Sequence, residues 1–334
     1  MRRLLAVLLA LLIVACGRNP LYSQESYVFG TRVEVLVWGE SEDRARDAVS
    51  EVLREFDRLH RTYHAWQPSE MTALNDAIAD GRPQPVTPEF AGFIRDAQLA
   101  AAKGEYLFDP GIGRLVALWG FHDDNFKAQL PDADKLADLV RRHPSIADLT
   151  VDVHNVVTSR NRAVALDFGG YLKGVALDRA AAILKGRNVH NALINIGGNV
   201  MALGSKDGTP WRVGIQHPRQ TAPLATLDLR DGEAIGTSGD YQRYFEVDGK
   251  RYCHLIDPRN GRPAGATQAV TVLLPPGPQA GMWSDVASKP LFIAGNDWRR
   301  LAEMQGVGLV LHIDSAGRLS LTDAMKARVT MAAP

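Results

Sequence analysis

The sequence predicts a globular protein in which helices and strands build one large folded unit, and three observations support this prediction. The composition of the 334 residues, 46% hydrophobic and 23% charged, is near the globular average, so a large core can be buried. Apolar residues recur at helical spacing in some segments, whereas alternating or β-branched runs bounded by glycine occur in others. The sequence shows no repeat of fixed period and no low-complexity segment.

Residues 1–15 are predicted to be a secretory signal peptide. Two arginines precede an unbroken apolar run from Leu4 to Ala15, which is too short to remain as a transmembrane helix. The residues Ile13-Val14-Ala15-Cys16 are also typical of a bacterial lipobox, in which Cys16 becomes lipidated after cleavage and anchors the chain to a membrane. A plain signal peptide that is cut nearby is the alternative.

Charge and cysteine content exclude several classes of site. The formal net charge is zero, without interleaved basic and aromatic residues, so nucleic acid is not expected as a partner. If Cys16 carries lipid, Cys253 stands alone, and neither an internal disulfide nor a cysteine metal cluster can form.

The first half of the chain alternates strand and helix signals. A strand is predicted over 31–38, a helix over 42–61 with Ser41 as its cap, and a second helix over 86–103 with Thr87 as its cap and Pro88 in its first turn. Between the helices lies an aromatic-rich loop, residues 62–70, that leads into a short helix. Residues 106–121 form a special loop with Asp109 beside proline and glycine, and 122–162 read as a polar connector with one amphipathic helix at 133–142.

Residues 165–179 are predicted to be a ligand loop. A strand-like lead-in at 164–166 is followed by Asp167, the pair Gly169-Gly170 and then Lys173, at the start of an apolar helix. The free N–H groups of a helix start attract anions when glycine lets the backbone come close, and a lysine adds positive charge. An ordinary strand-to-helix turn with an exposed lysine is the alternative, and Asp167 could equally be a helix cap.

The second half is mainly strand. Residues 191–200 read as a buried strand running into a glycine pair, and further strands are predicted at 211–216 and 269–274, with a hairpin turn at Asp248-Gly249. Residues 252–261 place His254, Asp257 and Arg259 around a turn. A helix over 281–294 is predicted to hold Asp285 in its first turn.

The order of these motifs resembles the ApbE family, the FAD:protein FMN transferases, over nearly the whole chain after the signal peptide. The resemblance is carried by Phe29-Gly30-Thr31, Pro68-Ser69-Glu70 with Leu74-Asn75, the segment from Phe108 to Phe121, Asp167 to Gly174, Asn195 to Asn199, Thr237 to Tyr241, and His254 to Gly261. It implies one ApbE-like domain over 24–334, of the α+β class, with a mixed or antiparallel sheet core flanked by helices (T-fold-like architecture).

The resemblance further implies an activity: the FMN half of FAD is transferred to a threonine or serine of a target protein, AMP is released, and magnesium is required. The acceptor is expected to carry a D-x-x-[ST]-G-A-[ST]-like motif and to face the bacterial periplasm. The enzyme itself is expected to be lipid-anchored to a membrane, namely the inner membrane. A hydrolase that cuts FAD to FMN and AMP, and a non-catalytic flavin-binding protein, are the alternatives.

Site residues follow from the matched motifs. His254 is the expected base, since the ordinary pKa of histidine lies near neutral pH. FAD contacts are expected from Phe29, Tyr63 or Trp66, Leu107, Phe108, Asp109, Gly169, Lys173, Val175, Leu255 and Ile256. The metal is expected at Asp285 and the Leu172 carbonyl, with Lys289 at the third ligand position.

Lys289 departs from the family pattern, because the family typically has threonine there and an ammonium offers no lone pair to a metal. Three interpretations are open. Lys289 points away and Ser284 or Ser288 completes the site; the ammonium itself replaces a cation against the diphosphate; or the helix is irregular beside Pro290 and the register is shifted by one residue.

Overall fold

The computed structural model describes residues 21–122 and 127–332. The predicted signal peptide and Cys16 lie outside these residues. The helices are α1 (Glu42–Thr62), α2 (Glu70–Asp80), α3 (Pro88–Lys103), α4 (Gly113–Leu118), α5 (Ala133–Arg142), α6 (Leu172–Gly186), α7 (Ala280–Ala294), α8 (Trp298–Gln305) and α9 (Asp323–Lys326).

The strands are β1 (Tyr22–Val28), β2 (Thr31–Val37), β3 (Gln84–Pro85), β4 (Leu149–Val151), β5 (Val156–Ser159), β6 (Ala192–Ile196), β7 (Asn199–Leu203), β8 (Trp211–Gln216), β9 (Pro223–Leu229), β10 (Ala234–Gly239), β11 (Tyr244–Val247), β12 (Lys250–Cys253), β13 (Ile256–Asp257), β14 (Arg262–Pro263), β15 (Thr267–Leu274), β16 (Val310–Asp314), β17 (Leu319–Leu321) and β18 (Val329–Met331).

A large antiparallel sheet confirms the predicted α+β class. Its eight strands follow the order β1-β2-β6-β7-β10-β15-β16-β17, and every neighbouring pair is antiparallel. Two small three-stranded sheets, β3-β5-β4 and β18-β9-β8, lie beside it. Of the two sheet types that the resemblance implied, the structure therefore has the antiparallel one.

The two faces of the large sheet have different covers. Val33 and Val35 of β2 belong to a core cluster that also holds Val52 of α1 and Leu177 of α6. Leu36, on the opposite side of the same strand, packs in a cluster with Val213 and Leu227 of the small sheet. Because successive strand residues point to opposite faces, one strand serves both cores.

Local signals predicted several elements correctly. The hydroxyl of Ser41 accepts a hydrogen bond from the Arg44 amide at the start of α1, and that of Thr87 caps α3 in the same way. Asp248 and Gly249 both have positive φ in the hairpin between β11 and β12, which is the conformation of a type I′ turn. Asn and Asp side chains and glycine tolerate this backbone well.

Four predictions need correction. Residues 191–200 form a hairpin, in which Gly197 and Gly198 have positive φ and turn β6 into β7. Residues 164–166 do not form a strand. The Asn75 side chain holds their backbone: its Oδ1 accepts the Leu166 N–H at 2.7 Å, and its Nδ2 donates to the Leu166 carbonyl oxygen at 3.0 Å. The 122–162 connector contributes β4 and β5. Asp285 lies in the second turn of α7, since this helix begins at Ala280.

Within residues 21–122 and 127–332, no helix is both long and apolar enough to cross a membrane.

Candidate active site

The site lies where the start of α6 meets α7. A Cβ atom on Gly174 would come within 2.6 Å of the Gly281 carbonyl oxygen, and one on Gly281 within 2.7 Å of the Gly174 oxygen, so the two backbones touch. The Asp178 carboxylate accepts hydrogen bonds from the amides of Gly281 and Met282, both at 2.8 Å, and ties the start of α7 to α6. Because of this packing, the second turn of α7 lies against the first turn of α6.

A buried ion pair occupies this junction. The Lys289 Nζ atom lies 2.6 Å from Asp285 Oδ1 and donates a further bond of 2.8 Å to the Asp285 carbonyl oxygen. The other carboxylate oxygen accepts the Gly174 N–H at 3.0 Å. Asp285 is 1% exposed and Lys289 9%. Lys289 therefore does not point away from the predicted metal position, and α7 continues as a helix through Pro290.

The Lys289 side chain runs along the glycine pair of the predicted ligand loop. A Cβ atom on Gly170 would lie 2.5 Å from Lys289 Cε and 3.4 Å from the Phe108 ring. The loop at 106–111 and the loop at 167–171 thus meet at this lysine. Gly170 leaves the space that the lysine stem fills.

The donor set around Asp285 does not fit a magnesium ion bound as the resemblance implies. Magnesium needs oxygen ligands at about 2.1 Å, so an ion on Asp285 Oδ1 would lie no more than about 4.7 Å from the Lys289 ammonium. At an effective dielectric constant of about 20, repulsion between these two charges would cost about 7 kcal/mol. The described residues also include no group of three or more His, Cys, Asp or Glu side chains that could hold a metal.

The two serines considered as substitute ligands are engaged elsewhere. Ser284 Oγ donates to the Gly281 carbonyl oxygen at 2.8 Å, and Ser288 Oγ donates to that of Asp285 at 2.9 Å. Ser288 Oγ also lies 2.7 Å from Ser238 Oγ. Leu172 is the first residue of α6, and its role as a carbonyl ligand stays a prediction.

His254 is held in one tautomer. Its Nδ1 atom lies 3.2 Å from the Arg243 carbonyl oxygen, and a carbonyl oxygen can only accept a hydrogen bond, so Nδ1 carries the hydrogen and Nε2 the lone pair. Burial lowers the pKa of His254 to about 3, assisted by the positive charges of Arg243, Lys173 and Lys289. The imidazole is therefore neutral at neutral pH, and its pKa lies well below the ordinary value that the sequence suggested.

Lys173 is a half-buried cation of the same cluster. Burial lowers the pKa of Lys173. The Asp285 carboxylate raises this pKa, whereas the positive charges of Lys289 and Arg243 lower it further. Within the described residues, Lys173 Nζ makes no side-chain hydrogen bond or ion pair. A half-buried ammonium at a helix start, surrounded by other cations, is suited to receive an anion.

Asp167 shapes the loop rather than capping α6. Its carboxylate accepts the Gly169 amide at 2.8 Å, and no side chain in the described part of the chain caps the first turn of α6. Burial raises the pKa of Asp167, whereas the Gly169 hydrogen bond and the charges of Arg243 and His64 lower it. Gly169 itself is exposed beside this turn.

The structure separates the two aromatic candidates that the sequence left open. Tyr63 is 2% exposed, its hydroxyl donates to Glu89 at 2.7 Å, and its ring packs on Phe90 and Phe93 in the core. Tyr63 is therefore part of the core and is not presented to a ligand. Trp66 is half-buried.

Phe29 lies at the tip of the hairpin between β1 and β2. Phe29 and Gly30 both have positive φ there, and the Phe29 ring lies 5.7 Å from that of His60. The ring of His60 in turn lies 5.0 Å from that of His64, in the aromatic-rich loop. The hairpin tip and this loop therefore form one aromatic wall.

The remaining predicted contacts are buried and belong to different parts of the core. Asp109 is buried and clamps two loops, because its Oδ1 accepts the amides of Gly111 and Ile146, both at 2.8 Å; burial raises its pKa. This carboxylate therefore positions the loop. The other predicted contacts are all buried apolar side chains: Leu107, Phe108, Val175, Leu255 and Ile256.

Two residues near the site were not predicted from the sequence. Arg243 supplies the carbonyl that orients His254 and a positive charge that acts on His254, Asp167 and Lys173. Its only signal is its position just after the Thr237–Tyr241 motif. His122 packs edge-on against Trp66 with ring centroids 5.6 Å apart, and no motif includes it.

This antiparallel α+β fold brings two lysines, an arginine and a neutral histidine close enough to interact electrostatically, an arrangement that suits a protein that binds an anion. Residues 29–311 match the model of the ApbE family. The chain belongs to the ApbE family.

Named relatives agree with this assignment. An "FAD:protein FMN transferase" of Rhodobacter capsulatus is 40% identical over 93% of this chain, and the chain spans 58% of the length of that relative. Another of Klebsiella pneumoniae is 30% identical over 76% of this chain and 74% of its own length. The crystal structure of the ApbE protein from Thermotoga maritima matches with a TM-score of 0.84 and 29% identity, over 92% of this chain and 99% of the other.

Proposed function

We propose that this protein transfers the FMN half of FAD to a threonine or serine hydroxyl of an acceptor protein and releases AMP. Its relatives bear the name of this activity. The observation that carries the proposal is the geometry of His254: its Nδ1 is tied to the Arg243 carbonyl oxygen, and among the described residues no hydrogen bond engages the Nε2 lone pair. Three cations, Lys173, Lys289 and Arg243, lie near enough to act on this imidazole. A base beside a concentration of positive charge suits attack of a hydroxyl on a diphosphate.

The proposed step forms one bond to phosphorus and breaks another. The acceptor oxygen forms a bond to the phosphorus of the FMN half, and the bond from that phosphorus to the bridging oxygen breaks with its electron pair on AMP. His254 Nε2 accepts the hydroxyl proton. Lys173, at the start of α6, offsets negative charge on the phosphates, and the half-buried position of the cluster strengthens this effect.

Magnesium is not given a role in this step. The resemblance implies it, but one Asp285 oxygen already binds the Lys289 ammonium and the other the Gly174 amide. Magnesium dependence therefore stays a prediction that the donor set does not favour. No contact among the described residues favours the hydrolase or the flavin carrier.

The proposal extends to partner and location. The acceptor is proposed to carry a D-x-x-[ST]-G-A-[ST]-like motif and to face the periplasm, and the enzyme to be anchored there by lipid on Cys16; the apolar run before Cys16 supports this. Mass spectrometry of the chain isolated from its host should find Cys16 as a lipidated first residue. An unmodified Cys16 would contradict the anchor.

The test of transfer uses the full chain in detergent, FAD and an acceptor peptide with the threonine motif, with covalent flavin followed by in-gel fluorescence. Replacing His254 by Asn should lower the transfer rate by about 100-fold or more while FAD binding stays within a few-fold. Replacing the exposed His190 by Asn serves as the control. An unchanged rate in the His254 variant would remove this histidine from the mechanism, and FMN and AMP released without labelling would indicate hydrolysis.

A further inference from the structure

The Lys289–Asp285 pair leaves part of the ammonium group open. An ammonium has three N–H donors. Asp285 takes two of them, through Oδ1 at 2.6 Å and its carbonyl oxygen at 2.8 Å, and within the described residues no other atom is bonded to Nζ. One donor is therefore available to a bound anion.

The position of this ammonium is preorganised. The stem of Lys289 is buried along Gly170, where a Cβ would lie 2.5 Å from Cε and 3.1 Å from Cδ. Asp285 in turn is held by the Gly174 amide at the start of α6. A cation fixed by packing and by a carboxylate loses little freedom when it contacts a ligand, which is the property that a bound metal ion offers.

The charges around Asp285 also favour contact between Lys289 and an anion. Asp285 is negative, while Lys289 and Lys173 are positive and interact with it. The three side chains sum to one positive charge at the start of α6, where the helix dipole adds to it. Without Lys289, the remaining aspartate and lysine would cancel, and of the three cations only the charge of Arg243 would be left to attract a diphosphate.

We infer that the Lys289 ammonium, held by Asp285, is the cation that contacts the FAD diphosphate in place of a divalent metal, so that transfer proceeds without one. This inference rests on the proposed function. Lys289 keeps its three hydrogens throughout. It offsets the charge that develops on the phosphate oxygens as the bond to AMP breaks, while the hydroxyl proton goes to His254.

The test compares wild type with Lys289→Met, Lys289→Thr and, as control, Lys185→Met at the exposed far end of α6. Each full-length protein in detergent is assayed for transfer with magnesium and with excess EDTA. The wild type and the control should label the acceptor equally in both conditions. Lys289→Met should lose about 100-fold in both, and Lys289→Thr should lose as much in EDTA but recover with magnesium.

A second measurement does not depend on transfer. Mn2+ bound to the FAD-loaded protein is counted by electron paramagnetic resonance against FAD alone. Wild type should bind no additional ion, whereas Lys289→Thr should bind one, because its hydroxyl and the released Asp285 oxygen become ligands. If Lys289→Met proves unfolded by circular dichroism, the double variant Asp285→Asn with Lys289→Met removes the uncompensated carboxylate and takes its place.

Opposite results would overturn the inference. Wild type that transfers only with magnesium, wild type that binds Mn2+ beside FAD, or a Lys289→Met variant as active as wild type would each contradict it. Wild type that binds FAD but labels no acceptor in either condition would reject the proposed function instead. In that case the Mn2+ count still decides whether Lys289 excludes a metal.

Discussion

The junction of α6 and α7 and the region where β9, β10 and β18 meet each bury an ion pair, but the two pairs are built differently. Glu233 and Arg328 form a bidentate pair with both N–O distances at 2.8 Å. Arg328 donates further to the Asp228 carbonyl oxygen at 2.9 Å, and Glu233 accepts the Arg230 amide at 2.8 Å. The Lys289–Asp285 pair is at least as buried, yet among the residues that the structure describes no atom accepts the third ammonium hydrogen.

The Glu233–Arg328 pair uses its charges to position the chain, whereas the Lys289–Asp285 pair keeps a charge available to a ligand. The planar guanidinium of Arg328 matches a carboxylate in a fixed fork. The ammonium of Lys289 is a compact charge on a flexible stem, and the protein fixes it by burying that stem. Burial pushes the pKa of Glu233 up, but the hydrogen bonds from Arg328 and Arg230 hold it below its usual value.

The largest expected effect breaks the closed pair. Arg328→Met leaves the buried Glu233 carboxylate without its partner and should lower the free energy of unfolding by about 3 kcal/mol. Transfer per folded molecule should not change, since neither residue of this pair belongs to the candidate site. The matched control is Arg212→Met, which breaks the exposed Arg212–Asp228 pair and should cost less than about 1 kcal/mol in urea denaturation. Equal losses in both variants would erase the distinction.

A smaller effect displaces the open pair without removing it. In Gly170→Ala the new methyl group meets Lys289 Cε, so the flexible lysine moves and its ammonium leaves Asp285. We expect the transfer rate to fall about 10-fold, because small misplacements of catalytic groups are costly. The free energy of unfolding should change by about 1 kcal/mol or less. Gly186→Ala, with nothing within 4 Å of its Cβ, is the control. Full activity in Gly170→Ala would show that the position of Lys289 does not matter.

Two neutral histidines extend the comparison. His312 is 2% exposed, stacks on Trp298 at 5.3 Å, and its Nε2 lies 3.2 Å from Thr267 Oγ1. Burial lowers its pKa to about 4, and that of His254 to about 3. His312 is enclosed in the core, whereas His254 is half-buried and its Nε2 has no hydrogen-bond partner among the described residues.

The sign of the pH effect follows from these values. Between about pH 4 and pH 6.5 the unfolded chain binds protons on both histidines and the folded chain does not, so the free energy of unfolding should rise with pH in this window. The kcat/KM for FAD reports the free enzyme and should show no acid limb from His254 above about pH 5. An acid limb with a midpoint near 6.5 that disappears in His254→Asn would contradict the lowered pKa.

The smallest expected effect compares the two aromatic residues. Trp66→Ala should weaken FAD binding about fivefold through lost stacking, measured by flavin fluorescence titration. Tyr63→Phe should leave FAD binding unchanged and cost about 1 kcal/mol of stability, because it removes the hydroxyl bond to Glu89. The reverse pattern would place Tyr63 at the flavin.

The sequence by itself determined the features that depend on near neighbours or on motif order. The caps Ser41 and Thr87, the Asp248-Gly249 turn and most helix bounds follow from interactions within a few residues. The ordered motifs indicated the ApbE family, and hence the α+β class, before any coordinates. The same reading marked Lys289 as the departure from the family pattern.

Only the tertiary structure decided where that lysine points. Its direction depends on Gly170, more than a hundred residues away in the chain, and on a carboxylate whose second oxygen is held by Gly174. Likewise, the carbonyl of Arg243 selects the His254 tautomer, and α3 draws Tyr63 into the core. A side chain with several rotatable bonds takes its orientation from what packs around it, and those contacts come from segments distant in sequence.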